Sequence, residues 1–294
     1  LLTPIFGPWL GKILIQESPD LVVAVHGFVN HIPVRVLHRK MPGVPFATVV
    51  TDMVTAHPVW FCPEVDRCLV PTEAVRERAL RYGMPAERVE VVGQPVDLGF
   101  LDLPRDKAAL RAKLHLDPQR SCILVVGGGD GMGPLYEVAR ALANGVPGIQ
   151  LVVVAGRNER LRQRLDQYPW EVPTRIYGFA QNMPELMAAS DLLVTKAGPG
   201  TLAEAFIAGL PTLIYGFIPG QEEGNIRYVQ EHSAGAYAPD PDEIARIARS
   251  WLEPGNPELA RIVANARALA RPDASLTIAR RLYAMLSAGN HTEP

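Results

Sequence analysis

The chain has 294 residues, 48% of them apolar and 20% charged, which suits an ordinary globular protein of one large or two average domains. A net charge of −2 offers no global field for nucleic acid, and no run of about 18 apolar residues exists to span a bilayer. The 3 cysteines, Cys62, Cys68 and Cys122, lack metal-ligand spacing and leave one over, which suits free thiols in a reducing, cytoplasmic setting.

The opening LLTPIFGPWLGKIL has no methionine, basic leader or small-residue cleavage site, and reads as a chain entered part-way through a domain. Leu1, Ile5, Phe6, Trp9, Leu10 and Ile13 make a helical stripe interrupted by Pro4, Gly7 and Pro8. That stripe either packs on its own domain or inserts Trp9 and Phe6 into a membrane surface. A strand LVVAVH (21–26), a helix over 31–40 and a strand FATVVTD (46–52) follow. Next come RCLVP (67–71), an amphipathic helix opened by Thr72 and closed by Gly83, and VEVVGQP (89–95).

Residues 98–118, proline-flanked around a charged helix, read as a linker. The rhythm restarts with CILVVGGG (122–129), QLVVVAG (150–156), TRIYGF (174–179), DLLVTKAG (191–198) and PTLIYG (211–216). Helices are expected over 134–144, 158–168, 182–189, 201–208 and 222–232, with two more amphipathic helices in the tail. Apolar strands alternating with helices predict an α/β protein of two Rossmann-like parallel-sheet domains, the first incomplete. The boundaries fall at 1–97, a linker at 98–118, 119–270, and a terminal segment 271–294. Arg261, Arg267, Arg271, Arg280 and Arg281 could meet anionic lipid or form a solvated face.

Chemistry concentrates at strand ends. Gly198, Gly200 and Thr201 form a glycine-rich turn entering a helix, whose unpaired N–H groups and dipole favour a phosphate. Lys196, just before it, either faces that phosphate or is a solvated charge. Glu204 follows Thr201 at capping-box spacing, so it either caps its own helix or takes both hydroxyls of a ribose. Gln221, Glu222 and Asn225 crowd polar groups into a glycine-flanked loop.

The run Gly127-Gly128-Gly129-Asp130-Gly131-Met132-Gly133 fits neither G-x-G-x-x-G nor a P-loop. Its glycines serve either tight strand–helix packing or close approach to a ligand, the second being favoured because both loops share one sheet edge. In the first domain His26, Asn30, His31, Thr51, Asp52 and His57 collect at or just past strand ends. Asp240-Pro241-Asp242 reads as a helix cap, and no metal motif occurs.

Together GGGDGMGP (127–134), AGRN (155–158), TKAGPGTLAEA (195–205), GQEEGN (220–225) and TDMVTAHPVWF (51–61) closely resemble the monogalactosyldiacylglycerol synthase family. The pattern is more distantly similar to the undecaprenyl-linked N-acetylglucosaminyltransferase of peptidoglycan synthesis. The resemblance implies a GT-B fold with two domains facing across a cleft and the final helix crossing back to the first. It implies an inverting, metal-independent transfer of a hexose, galactose or glucose, from a UDP-sugar to diacylglycerol at a membrane surface. The expected products are β-glycosyl glycolipids and the expected setting is peripheral to a membrane, with no cofactor beyond the donor.

Carried onto this chain, the resemblance assigns the diphosphate to Gly198, Gly200 and Thr201, and the ribose to Glu204. Hexose hydroxyls go to Gln221 and Glu222, with Asn225 supporting their loop. Gly128, Gly129 and Gly131 approach the phosphates, Arg157 the nucleotide, and the backbone of Gly178 and Phe179 the uracil. His26, Thr51, Asp52 and His57 line the acceptor side, the last two as catalytic candidates. The family's G-G-G-H loop, whose histidine is a candidate general base, has no counterpart in this sequence. Two competing readings follow: a UDP-sugar epimerase or hydrolase of the same fold, or a donor-binding chain that needs a partner for catalysis.

Overall fold

The structure, a computed structural model, describes residues 3–104 and 106–289, without the side chains of 3–6 and 287–289. Leu1, the Ile5 and Phe6 side chains and residues 290–294 of the expected terminal segment therefore lie outside the described residues. Two compact units emerge, residues 1–95 with 273–294, and residues 96–272.

In the first unit β1 (Val22–Ala24), β2 (Phe46–Val49), β3 (Arg67–Val70) and β4 (Val89–Val91) form one parallel sheet in sequence order. Phe46, Cys68 and Val70 pack with Trp60, Val75 and Ala79 into its core. The helix α1 (Thr3–Glu17) runs through Pro8 without a break. It lays Leu10 and Leu14 on the core while leaving Trp9 and Ile15 exposed. After α2 (His31–Lys40) comes α3 (Glu73–Arg81), which starts as expected, with the Thr72 hydroxyl accepting from Val75 N. At the far end of the chain α12 (Ala274–Gly289) sets Ile278 and Leu282 against Val49, Leu69 and Val92.

The second unit is a six-stranded parallel sheet of β5 (Ser121–Val126), β6 (Ile149–Val154), β7 (Thr174–Tyr177), β8 (Leu192–Lys196), β9 (Thr212–Gly216) and β10 (Gly235–Tyr237). Its order is β10-β9-β8-β5-β6-β7. The chain builds outward from β5 in one direction, then returns to β8 and builds outward in the other. The crevice at the carboxyl ends of β5 and β8 is therefore the switch point where open α/β sheets bind ligands.

Strand residues alternate between two buried faces, as a parallel sheet requires. Ile123 and Val125 meet α5 (Leu135–Gly145) and α10 (Pro241–Trp251), while Leu124 and Val126 face α7 (Met183–Ala189) and α8 (Pro199–Ala208). Asp240 caps α10 through its own carboxylate, as read from the sequence.

The segment 98–118 corrects the expectation of a linker. Phe100, Leu110, Leu114 and Leu116 are buried in the second unit's core. Within it α4 (Lys107–Lys113) is anchored where Lys107 and Arg111 both reach the Asp191 carboxylate, at 2.9 and 2.5 Å. Proline punctuation gave the look of a spacer, but the helix buries Leu110 and Arg111 against the second unit. The short β10 was not anticipated, because three residues carry too little pattern to register.

Candidate functional site

The turn after β8 is built as the glycines suggested. Gly198 is the N-cap of α8, with an extended backbone and no side-chain cap, and Pro199 opens the helix. Pro199 has no N–H to lose, and the N–H groups of Gly200 and Thr201 find no partner among the described residues. These are open donors at a positive helix end.

The helix also starts earlier than the Thr201-to-Glu204 spacing implied. Thr201 sits inside the first turn and is not the cap, so the capping-box alternative for Glu204 fails on geometry. Glu204 is partly buried in mid-helix with no hydrogen-bond donor among the described residues. Burial, and then the like charge of Asp97, push its carboxyl up to about 7.

The glycine loop after β5 is shaped by its neighbours more than the sequence indicated. A Cβ on Gly131 would lie 2.1 Å from the carbonyl oxygen of Ala155, and one on Gly133 2.6 Å from the Tyr215 ring. Both residues also adopt positive φ, at 58° and 86°. Packing therefore dictates these two glycines, including the Gly131 assigned to phosphate. Gly128 and Gly129 differ, since their Cβ positions look toward the side chains of Lys196 and Arg157.

Beneath the loop lies Tyr215, a residue that sequence reasoning missed. Its hydroxyl is 3.1 Å from Val126 O and 3.0 Å from Met132 O, so it ties the loop to the strand it leaves. A hydroxyl-bearing residue in the otherwise apolar PTLIYG strand was the available signal.

The Gly220–Asn225 segment divides inward and outward. Gln221 is exposed, whereas Glu222 and Asn225 are 3% and 1% exposed. Helix α9 (Glu223–Glu231) begins within this segment, close to the expected 222–232, and its first turn buries Asn225. Asn225 Nδ2 donates to Ala197 O at 2.8 Å, tying this segment to the α8 turn, while its Oδ1 is buried without a partner. Glu222 faces inward: Oε1 meets Lys196 Nζ at 2.5 Å, and Oε2 accepts from Ile218 N at 2.8 Å. Lys196 is thus neither a solvated charge nor an open phosphate contact. At the far side Arg157 lies 4.5 Å over the Phe179 ring and 3.6 Å from Asp130, with Phe179 and Arg157 both exposed.

The first unit gathers its polar residues around Trp60. Trp60 Nε1 donates to Asp52 Oδ2 at 2.7 Å, and the His26 ring stands 6.1 Å from Trp60. Thr51 lends its carbonyl to Gln94 Nε2 at 3.0 Å. His57 and His26 each use Nδ1 to accept a backbone N–H, from Val59 and Phe28 respectively. In neutral form both rings then carry their proton on Nε2. His31 only begins α2.

Solved structures with the same layout include Anabaena Alr3699/HepE in complex with UDP, with a TM-score of 0.64 at 19% identity, covering 94% of this chain and 82% of that one. Acinetobacter baumannii MurG gives 0.68 at 15% identity, covering 95% and 77%. The fold is that of the GT-B class of glycosyltransferases.

Family models sharpen this: that for monogalactosyldiacylglycerol (MGDG) synthase matches residues 2–96, and that for the glycosyltransferase family 28 C-terminal domain matches 122–259. The probable monogalactosyldiacylglycerol synthase 2, chloroplastic, of Oryza sativa subsp. japonica is 42% identical over 279 residues, 92% of this chain and 60% of that protein. Monogalactosyldiacylglycerol synthase 1, chloroplastic, of Arabidopsis thaliana is 38% identical over 286 residues, 94% of this chain and 54% of its own length. The chain is similar to the monogalactosyldiacylglycerol synthases over more than nine-tenths of its own length. It spans little more than half the length of these relatives.

Proposed function

We propose that the protein transfers a hexose from a UDP-sugar to diacylglycerol with inversion at the anomeric carbon. The observation that carries this reading is the pair of open N–H groups at Gly200 and Thr201, one helical turn from a donor-free Glu204 carboxylate. The first pair suits a diphosphate and the second a vicinal diol. In this reading the uracil meets the backbone at Gly178 and Phe179, and Arg157 borders the nucleotide. The hexose lies toward Gln221 and Glu222.

Chemically, the acceptor oxygen attacks the anomeric carbon as the bond from that carbon to the diphosphate oxygen breaks. UDP departs with the bonding electrons, and the α8 N-terminus meets the charge that develops. The acceptor proton passes to a base. His57 as placed offers an N–H at Nε2, a donor, which makes Asp52 the better base of the two. The lipid acceptor implies work at a membrane surface, and among the described residues no helix is long and apolar enough to cross a membrane.

The test is incorporation of sugar from UDP-galactose and UDP-glucose into diacylglycerol by the full-length protein. Transfer of either sugar supports the reading. UDP binding with no lipid product overturns it, and release of free sugar or an epimer without lipid identifies the competing chemistry.

A further inference from the structure

Lys196 ends β8, the strand beside β5 at the switch point of the second unit's sheet. Its side chain is 17% exposed and that of Glu222 is 3% exposed. A Cβ built on Gly198 would lie 3.1 Å from Lys196 Nζ, and one on Gly128 would lie 3.1 Å from Lys196 Cε. The ammonium group therefore sits between the glycine loop after β5 and Gly198, the N-cap of α8. Gly198 and Gly128 leave it room on both sides.

The carboxylate it holds is fully engaged: one oxygen on Lys196 and the other on Ile218 N. Breaking such a buried pair by removing one partner leaves an uncompensated charge. A dianionic or trianionic ligand arriving at the α8 turn, however, offers the ammonium a second and stronger anionic partner. The same ligand would be repelled by Glu222 were Lys196 not between them. Nearby, the orphaned Asn225 Oδ1 shows that the hydrogen bonding of this segment is incomplete as it stands.

We propose that Lys196 is a positioning residue that couples the two halves of the donor: a diphosphate at the α8 turn draws its ammonium away from Glu222 and frees that carboxylate for the hexose hydroxyls. This rests on the donor-site reading above. In the resting pair Glu222 is silenced. Only a ligand carrying both diphosphate and sugar gains from both changes, so UDP-hexose is favoured over the UDP product.

The test is a titration of the full-length protein with uridine, UDP and UDP-galactose, for the wild type and for Lys196→Met, Glu222→Gln and the double variant. Lys196→Met should weaken UDP by about tenfold to a hundredfold, the scale of one charge-assisted hydrogen bond, while uridine changes less than about twofold. Glu222→Gln should tighten UDP, because it releases the ammonium and removes a like charge, yet abolish the extra affinity that the hexose brings.

A pair that is merely structural predicts that both single variants weaken all three ligands alike, and that result overturns the proposal. So does unchanged UDP affinity in Lys196→Met. Should Lys196→Met fail to fold, Glu222→Gln alone decides: tighter UDP binding supports the coupling, and weaker binding refutes it. Wild-type protein that binds uridine but gains nothing from the diphosphate overturns the donor-site reading itself, a result distinct from the others.

Discussion

Asp97 bears on Glu204 as a like charge in the second unit, adding to the burial that does most to raise the Glu204 carboxyl to about 7. The sign of the consequence is fixed. An acid with a raised folded-state value binds more protons folded than unfolded, here between its ordinary value of 4.5 and about 7. Its ionisation therefore costs stability as the pH rises through that window, and the cost is relieved on acidification. Ribose hydroxyls need the ionised form as acceptor. UDP affinity should accordingly rise between about pH 6 and 8 while unliganded stability falls, and Glu204→Gln should flatten both profiles. Calorimetric titration with UDP and thermal unfolding across that range check it. A UDP profile unchanged by Glu204→Gln would remove Glu204 from the site.

Gly133 and Tyr215 make the second prediction. Alanine at 133 places Cβ 2.6 Å from the ring, at a φ of 86° that disfavours any side chain. Gly133→Ala should destabilise the protein by about 1–3 kcal/mol, the range for overpacking and left-handed strain. Tyr215→Phe keeps the ring but leaves Met132 O without its donor. It should cost about 1 kcal/mol and weaken UDP as the loop loosens. Val126 O keeps Thr195 Oγ1 as a partner, so the strand end should hold. Chemical denaturation with UDP titration separates the two effects.

A different outcome is expected at Gly200. No atom lies within 4 Å of a Cβ built there, so the fold tolerates alanine, and the helical position gains about 0.5–1 kcal/mol from it. The new methyl group would stand beside the open N–H groups. Gly200→Ala should unfold no earlier than the wild type yet bind UDP about tenfold or more weakly, since displaced phosphate loses its hydrogen bonds. Equal UDP affinity would place the diphosphate elsewhere.

The two-sheet layout was legible because parallel strands buried on both faces read as continuous apolar runs, such as CILVV and QLVVV. The α8 turn was legible too, because Gly198 and Gly200 break a strand pattern directly before a helical one. Spacing misled where it measured only the local chain. Thr201 and Glu204 stand at capping distance, but Pro199 moves the helix start ahead of them. Lys196 and Glu222 are 26 positions apart, and nothing local marks them as partners. Tyr215 serves a loop 83 residues away. Such pairings arise from strand adjacency, which sequence periodicity does not encode.

The last prediction concerns the acceptor side. Asp52 is buried and receives the Trp60 indole N–H, while His57 spends Nδ1 on capping the turn at Pro58–Trp60. A group that accepts the acceptor proton cannot be replaced by an amide, whereas a cap can. Asp52→Asn should reduce transfer to diacylglycerol in the full-length protein by about 10²–10⁴-fold, the usual share of a general base, with UDP affinity unchanged. His57→Asn keeps an oxygen to receive Val59 N–H and should lose far less, whereas His57→Ala should lower stability by about 0.5–2 kcal/mol as a cap is lost. The reverse order, with His57→Asn the more damaging, would make the imidazole the proton acceptor. Comparable, small losses in both would put the base on neither residue.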